Sequence, residues 1–241
     1  MNAGRLALGL LGAVLACGLA LFVAGSQDEA SVDGLPLVEL PVRGAPGPGT
    51  KGDTLAVILS GDGGWADLDR DFGLDFQQRG VATVGFDCLE YFWTPRVPAQ
   101  TASDLERVLR HYLAAWGKHR LLLVGYSFGA GWLPYLVNRL PEDLQRRVAS
   151  VVLLAPLDYA NLEIRPGDWV HDERRDGALE VVPEADAVRR PLLCFYGRQE
   201  AGISACPRLR GPNVQRLVRP GGHHFNRDYL PIQEAILATL R

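Results

Sequence analysis

The chain has no block of basic residues longer than a short pair, and this absence excludes nucleic acid as a partner. A duplex-binding surface needs clustered Lys and Arg, whereas 25 basic residues here are set against 28 acidic ones for a formal net charge of −3. No internal repeat and no heptad pattern is present, which removes solenoids and coiled coils. The four cysteines, Cys17, Cys88, Cys194 and Cys206, form no Cys-x-x-Cys pair, so no metal site is expected. The glycine-rich run Ser60-Gly61-Asp62-Gly63-Gly64-Trp65 lacks the Lys-Ser/Thr pair that a P-loop requires after its glycines. No cofactor is expected.

Long apolar runs are also missing, with one exception. Leu6 to Gly25 is unbroken, preceded by Arg5 and followed by Asp28, Glu29 and Asp33. Positive first and acidic after reads as export, with the remainder of the chain outside the cytoplasm. About 20 residues make a helix of about 30 Å, enough to span a bilayer. Residues 1–25 are therefore expected to be a signal peptide, cut near Ala24-Gly25-Ser26, or a retained membrane anchor; Val14-Leu15-Ala16-Cys17 is a loose lipobox. Residues 26–53 turn polar and rich in Pro and Gly, as a linker holding one expected edge strand, Leu35 to Val42, with Pro36 and Pro41 at its margins.

Residues 54–241 carry the fold. With 241 residues, 47% of them hydrophobic and 22% charged, the chain can bury one sizeable core and shows no division into two. Apolar strands are expected near 55–59, 81–86, 121–125, 149–154, 191–196 and 214–218, separated by helical stretches. One helix is read as opening at a capping box, Ser103-x-x-Glu106, with an apolar face of Leu105, Val108, Leu109, Tyr112, Leu113 and Trp116. Alternating strands and helices imply a mostly parallel sheet flanked by helices, with right-handed crossovers, in a single domain.

Chemistry enters at Gly125-Tyr126-Ser127-Phe128-Gly129. The run sits between an apolar strand and a helical segment, the setting of a Gly-x-Ser-x-Gly nucleophile elbow. Glycines on either side of the serine let the chain reverse sharply, so its hydroxyl stands above the sheet. The N–H of Phe128 and that of Asp62 or Gly63 are the expected oxyanion-hole donors. Glu200, after the strand ending at Tyr196, is the expected acid, with Asp158 as competitor. Gly221-Gly222-His223-His224-Phe225 supplies the base: alignment of a histidine just before an aromatic selects His224, with His223 as the alternative. The order Ser, Glu, His is that of the α/β-hydrolase fold.

Ser127 would then attack an ester carbonyl, with the histidine taking its proton and returning it to the departing alcohol. The aromatic run Tyr91-Phe92-Trp93, followed by Arg96, either lines an acyl or head-group pocket or packs as a lid over the core. Cys194 and Cys206 flank Glu200 and are expected to form a disulfide in an oxidising compartment, Cys88 being the alternative partner.

Ser60-Gly61-Asp62-Gly63-Gly64-Trp65, Tyr91-Phe92-Trp93, Gly125-Tyr126-Ser127-Phe128-Gly129-Ala130 and Gly221-Gly222-His223-His224-Phe225 together resemble the AcvB/VirJ family of bacterial exported proteins, in its short single-domain form. The resemblance covers roughly residues 54 to 240. It implies a periplasmic α/β-hydrolase that removes lysine or alanine from aminoacyl-phosphatidylglycerol. It also implies an association with virulence and DNA-transfer secretion in plant-associated bacteria. The partners so implied are a phospholipid head-group ester, the inner-membrane surface and secretion-system components. An aminoacyl ester carries an ammonium group near the scissile carbonyl, for which Glu163, Asp62 and Asp69 are the candidate carboxylates. The competing readings are a general exported esterase or thioesterase, and a non-catalytic partner in an envelope complex.

Overall fold

In the computed structural model, residues 31–42, 51–168 and 173–240 are described. The expected signal peptide or anchor at residues 1–25 lies outside them. The strands are β1 (Leu37–Leu40), β2 (Thr54–Leu59), β3 (Ala82–Phe86), β4 (Arg120–Tyr126), β5 (Val148–Leu154), β6 (Tyr159–Ala160), β7 (Leu179–Glu180), β8 (Leu192–Gly197) and β9 (Val214–Arg219). The α-helices are α1 (Asp67–Gln78), α2 (Cys88–Tyr91), α3 (Pro98–Ala115), α4 (Phe128–Arg139), α5 (Glu142–Arg147), α6 (Val181–Asp186) and α7 (Leu230–Ala238).

Seven strands form one sheet in the order β1-β3-β2-β4-β5-β8-β9. All neighbours are parallel except β1, which pairs antiparallel with β3 at the edge. Pro36 and Pro41 fall just outside β1, where a missing N–H costs no ladder bond. β6 and β7 make a separate two-stranded hairpin that the sequence pattern did not reveal.

The inner parallel strands β2, β3, β4, β5 and β8 are apolar at nearly every position because both faces are covered, whereas β9 at the sheet edge carries Gln215, Arg216 and Arg219 and is partly exposed. Every residue of β2 and β3 is buried. Successive side chains point to opposite faces, so Leu55 and Val57 join the layer beneath α3 and α4, while Ala56 and Ile58 join Phe72, Phe76 and Ile236 beneath α1 and α7. The expected capping box does not open α3. That helix begins five residues earlier at Pro98, whose fixed φ suits a first helical position, and Ser103 lies exposed within it. Its apolar face is otherwise as expected, with Leu105, Val108, Leu109, Tyr112 and Leu113 buried. Among the described residues no helix is long and apolar enough to cross a membrane.

Candidate active site

The carboxyl end of β4 turns into α4 through Ser127, which has φ 51° and ψ −114°. A positive φ at a residue with a side chain is strained, by about 1–3 kcal/mol, and is maintained only where the surroundings impose it. Here two close approaches do so. A Cβ on Gly125 would stand 2.6 Å from the Gly129 carbonyl oxygen, and one on Gly129 would stand 2.5 Å from that of Leu59. Only glycine fits either position, and the Ser127 N–H is fixed by donating to Leu154 O at 2.8 Å. This is the elbow that the motif predicts.

His223 Nε2 lies 2.7 Å from Ser127 Oγ, and His223 Nδ1 lies 3.0 and 3.1 Å from the two carboxylate oxygens of Glu200. The expectation of His224 in this position is therefore corrected: His224 turns Nδ1 to the Tyr126 hydroxyl at 2.8 Å. The loop after β9 explains the outcome. Gly221 accepts from Gln199 N–H, a Cβ on Gly197 would meet Gly222 O at 2.3 Å, and Phe225 is 1% exposed, so the turn is tied to the end of β8 on one side and plugged into the core on the other. Between those anchors it is His223 that faces Glu200. The pKa of His224 is held below the usual histidine value by burial, and next by His223 and Arg227.

Glu200 sits in a short 3₁₀ turn after β8, where its carbonyl accepts from Ile203 and Ser204 N–H. The expected disulfide is present: Cys194 and Cys206 are bonded with a Cα–Cα distance of 5.5 Å, closing the loop that carries Glu200, and Cys88 is free and buried. Among the described residues Asp158 has no hydrogen bond to either histidine and accepts instead from Arg208.

The glycine-rich loop after β2 runs beside the elbow. Gly129 N–H donates to Ser60 O at 3.2 Å, and a Cβ on Gly61 would lie 3.5 Å from Ser127 Cβ. Asp62 and Gly63 line the same cavity as Ser127, and Phe128 opens α4, so its N–H belongs to the first turn of that helix. Ser127, His223 and Glu200 are thus joined in one hydrogen-bonded line beside the glycine-rich loop, an arrangement of the kind that acyl transfer uses.

The cavity has a volume of about 750 Å³ and is acidic, with Asp62, Asp67, Asp69, Asp158, Asp168 and Glu200 on its walls and no Lys or Arg among the described lining residues. Tyr126, Leu157, Tyr159 and Ile203 line it too. Sequence reasoning assigned none of these four to the site, although Tyr126 stands inside the elbow motif itself.

Tyr91, Phe92, Trp93 and Glu163, expected as substrate contacts, do not line the cavity. Tyr91 and Phe92 are core: α2 turns them inward, where the Phe92 ring packs 4.5 Å from Trp132 and 5.0 Å from Phe128. The Tyr91 hydroxyl donates to Asp104 at 2.6 Å, and burial together with that carboxylate pushes its pKa up to about 12. Trp93 projects into solvent at 53% exposure, and Glu163 pairs with Arg165. Phe92 bears on the site only from behind, through Phe128.

Residues 53–241 match the family described as bacterial virulence protein (VirJ). The chain belongs to the VirJ family. No curated protein matches this VirJ-family chain in sequence. Similar solved structures include Est1E from Butyrivibrio proteoclasticus with ferulic acid bound, at 14% identity over 87% of this chain and 96% of that one, with a TM-score of 0.59. A proline iminopeptidase from Mycobacterium smegmatis is similar at 12% identity over 85% and 93%, with a TM-score of 0.56. An alpha-beta serine hydrolase homologue from Coxiella burnetii is similar at 16% identity over 85% and 91%, with a TM-score of 0.55. At such identities the likeness establishes the fold, and the VirJ-family chain has the α/β-hydrolase fold.

Proposed function

We propose that the chain is a serine ester hydrolase with Ser127 as nucleophile, His223 as base and Glu200 as the orienting acid, acting on aminoacyl-phosphatidylglycerol at the periplasmic face of the inner membrane. The observation that carries the hydrolase reading is His223, bonded through one ring nitrogen to Ser127 and through the other to Glu200. Glu200 fixes the tautomer with the proton on Nδ1, which leaves Nε2 free to accept the serine proton. Ser127 Oγ then bonds to the aminoacyl carbon, and the carbonyl electrons move to the oxygen. The N–H of Phe128 and that of Asp62 or Gly63 receive the developing charge, a donor of this kind contributing about 3–4 kcal/mol to the transition state. Collapse breaks the ester bond as His223 protonates the departing glycerol oxygen. Water, deprotonated by His223, repeats the sequence and releases the amino acid.

The aminoacyl substrate is supported by the acidic cavity, which suits an ester whose acyl group bears a positive charge. The family resemblance supports the same substrate, and the apolar run Leu6 to Gly25 supports the envelope location. The test is hydrolysis of lysyl- and alanyl-phosphatidylglycerol in vesicles by the purified protein and by Ser127→Ala. Release of free amino acid, lost in the variant, is the expected result. Turnover of short neutral esters alone would replace this reading with a general esterase. No turnover of any ester by the folded protein would leave it a non-catalytic partner.

A further inference from the structure

Asp69 is the third residue of α1 and is 2% exposed, yet its Oδ1 has no hydrogen-bond partner among the described residues. A carboxylate in that condition costs stability unless it keeps a proton or a counter-charge reaches it. Other carboxylates on the cavity wall are partnered: Glu200 is hydrogen-bonded to His223, Asp158 pairs with Arg208, and Asp168 pairs with Arg175. Around Asp69 the field is of the opposite kind. Burial raises its pKa well above the usual carboxylate value and Asp87 adds to the rise, while the N–H groups of Gly61, Asp69 and Ala66 offset part of it.

Two facts connect this group to the chemistry. Asp69 lines the same cavity as Ser127. Gly61, whose N–H lies by the Asp69 carboxyl, passes beside the nucleophile, with a Cβ there 3.5 Å from Ser127 Cβ. A cation that enters from solvent and binds Asp69 is thus held at the start of α1, against the loop that borders Ser127.

We infer that Asp69 is the specificity-determining residue that binds the ammonium group of an aminoacyl ester while its carbonyl lies at Ser127. A primary ammonium fits because it is compact and donates three hydrogen bonds, one of which Oδ1 lacks. Arginine's planar fork is wider and asks for two coplanar acceptors. This inference rests on the ester-hydrolase reading above and adds the group that selects the acyl part.

The test compares alanine ethyl ester with its N-acetyl counterpart, which has the same scissile bond and no positive charge. Asp69→Asn keeps the shape and an acceptor oxygen while removing the ionisable group. The ratio of kcat/KM, charged over acetylated, is expected to fall at least about tenfold, through KM. A purely structural Asp69 would lower both substrates together and leave the ratio in place, which overturns the inference, as does a shift of the ratio in Asp62→Asn but not in Asp69→Asn.

A measurement on the unaltered protein covers failure of the variant to fold. In a crystal soaked with L-alaninamide, the ammonium nitrogen is expected about 3 Å from Asp69 Oδ1. An amide bound elsewhere, or none bound at saturating concentration, overturns the inference. An unaltered protein that turns over no aminoacyl ester overturns the proposed function; turnover with a ratio insensitive to Asp69 overturns only this inference.

Discussion

His224 Nδ1 is hydrogen-bonded to the Tyr126 hydroxyl at 2.8 Å, although Tyr126 is next in sequence to Ser127 and His224 is next to His223. The pair forms a second link between the elbow and the loop after β9, parallel to the bond between Ser127 and His223. Removing the first link disables proton transfer, whereas removing the second loosens a wall. His223→Ala is therefore expected to lower kcat/KM on any ester by about 10⁴-fold or more, because a triad acts as a unit. His224→Ala removes one neutral hydrogen bond, about 1 kcal/mol, and is expected to cost about tenfold at most. Steady-state kinetics on a short ester, with thermal melts to verify folding, distinguish the two.

Glu200 meets the His223 ring on the side away from Ser127, the place of the orienting acid in the proposed mechanism. Glu200→Gln preserves the shape but offers an amide that no longer stabilises the imidazolium, so kcat is expected to fall by about 10³- to 10⁴-fold with KM little changed. Asp158→Asn should leave kcat within a few-fold, since that carboxylate is engaged by Arg208 and is hydrogen-bonded to neither histidine. A severe Asp158 effect beside a mild Glu200 effect would reverse the assignment.

The disulfide spans 12 residues and encloses Glu200. In the chain-entropy model a loop of this length stabilises the fold by about 3 kcal/mol. Reduction is expected to lower the urea midpoint accordingly, and to lower kcat before global unfolding by loosening the loop that holds the acid. Equal midpoints with and without reductant would remove the bridge from the stability of the fold.

Those outcomes depend on features that were legible to different degrees in the sequence. The strands were readable because parallel strands are buried on both faces and so appear as continuous apolar runs, as in β2. The elbow was readable because its two glycines answer to backbone approaches of 2.6 and 2.5 Å that no other residue permits. Which histidine meets Ser127 and Glu200 was not, since the decision lies in how Gly221, Gly197 and Phe225 clamp the loop, contacts between segments distant in sequence. The same limit governed the aromatics: composition gives Tyr91-Phe92-Trp93 one character, but the short turn of α2 sends two rings into the core and one into solvent. Asp62, Asp69, Asp158 and Glu200 were named from the sequence, but that they share one cavity with Asp67 and Asp168 was not legible, because they arrive from α1 and from loops distant in sequence.

Asp69 gives a prediction about stability that is separate from turnover. Its folded-state pKa lies well above 3.8, with burial as the main cause, and the titratable neighbours in its field are Asp87, Cys88, Tyr126 and Tyr229. Between pH about 3.8 and the folded value, the native state binds more protons at this group than the unfolded state does. The free energy of unfolding therefore falls as pH rises through that window, and the loss persists at neutral pH. Asp69→Asn removes it. The variant is expected to exceed the unaltered protein in urea midpoint at pH 7, with the difference shrinking toward zero below pH about 4, where both side chains are neutral. Acid effects from the other carboxylates are common to both proteins and cancel in the difference. L-alaninamide at pH 7 should recover part of the deficit in the unaltered protein and none in the variant, because a ligand that binds only the folded state stabilises it in proportion to the logarithm of its concentration. A variant less stable by the same amount at every pH would show that Asp69 acts through its bonds to the loop and first turn, and not as a buried charge awaiting a cation.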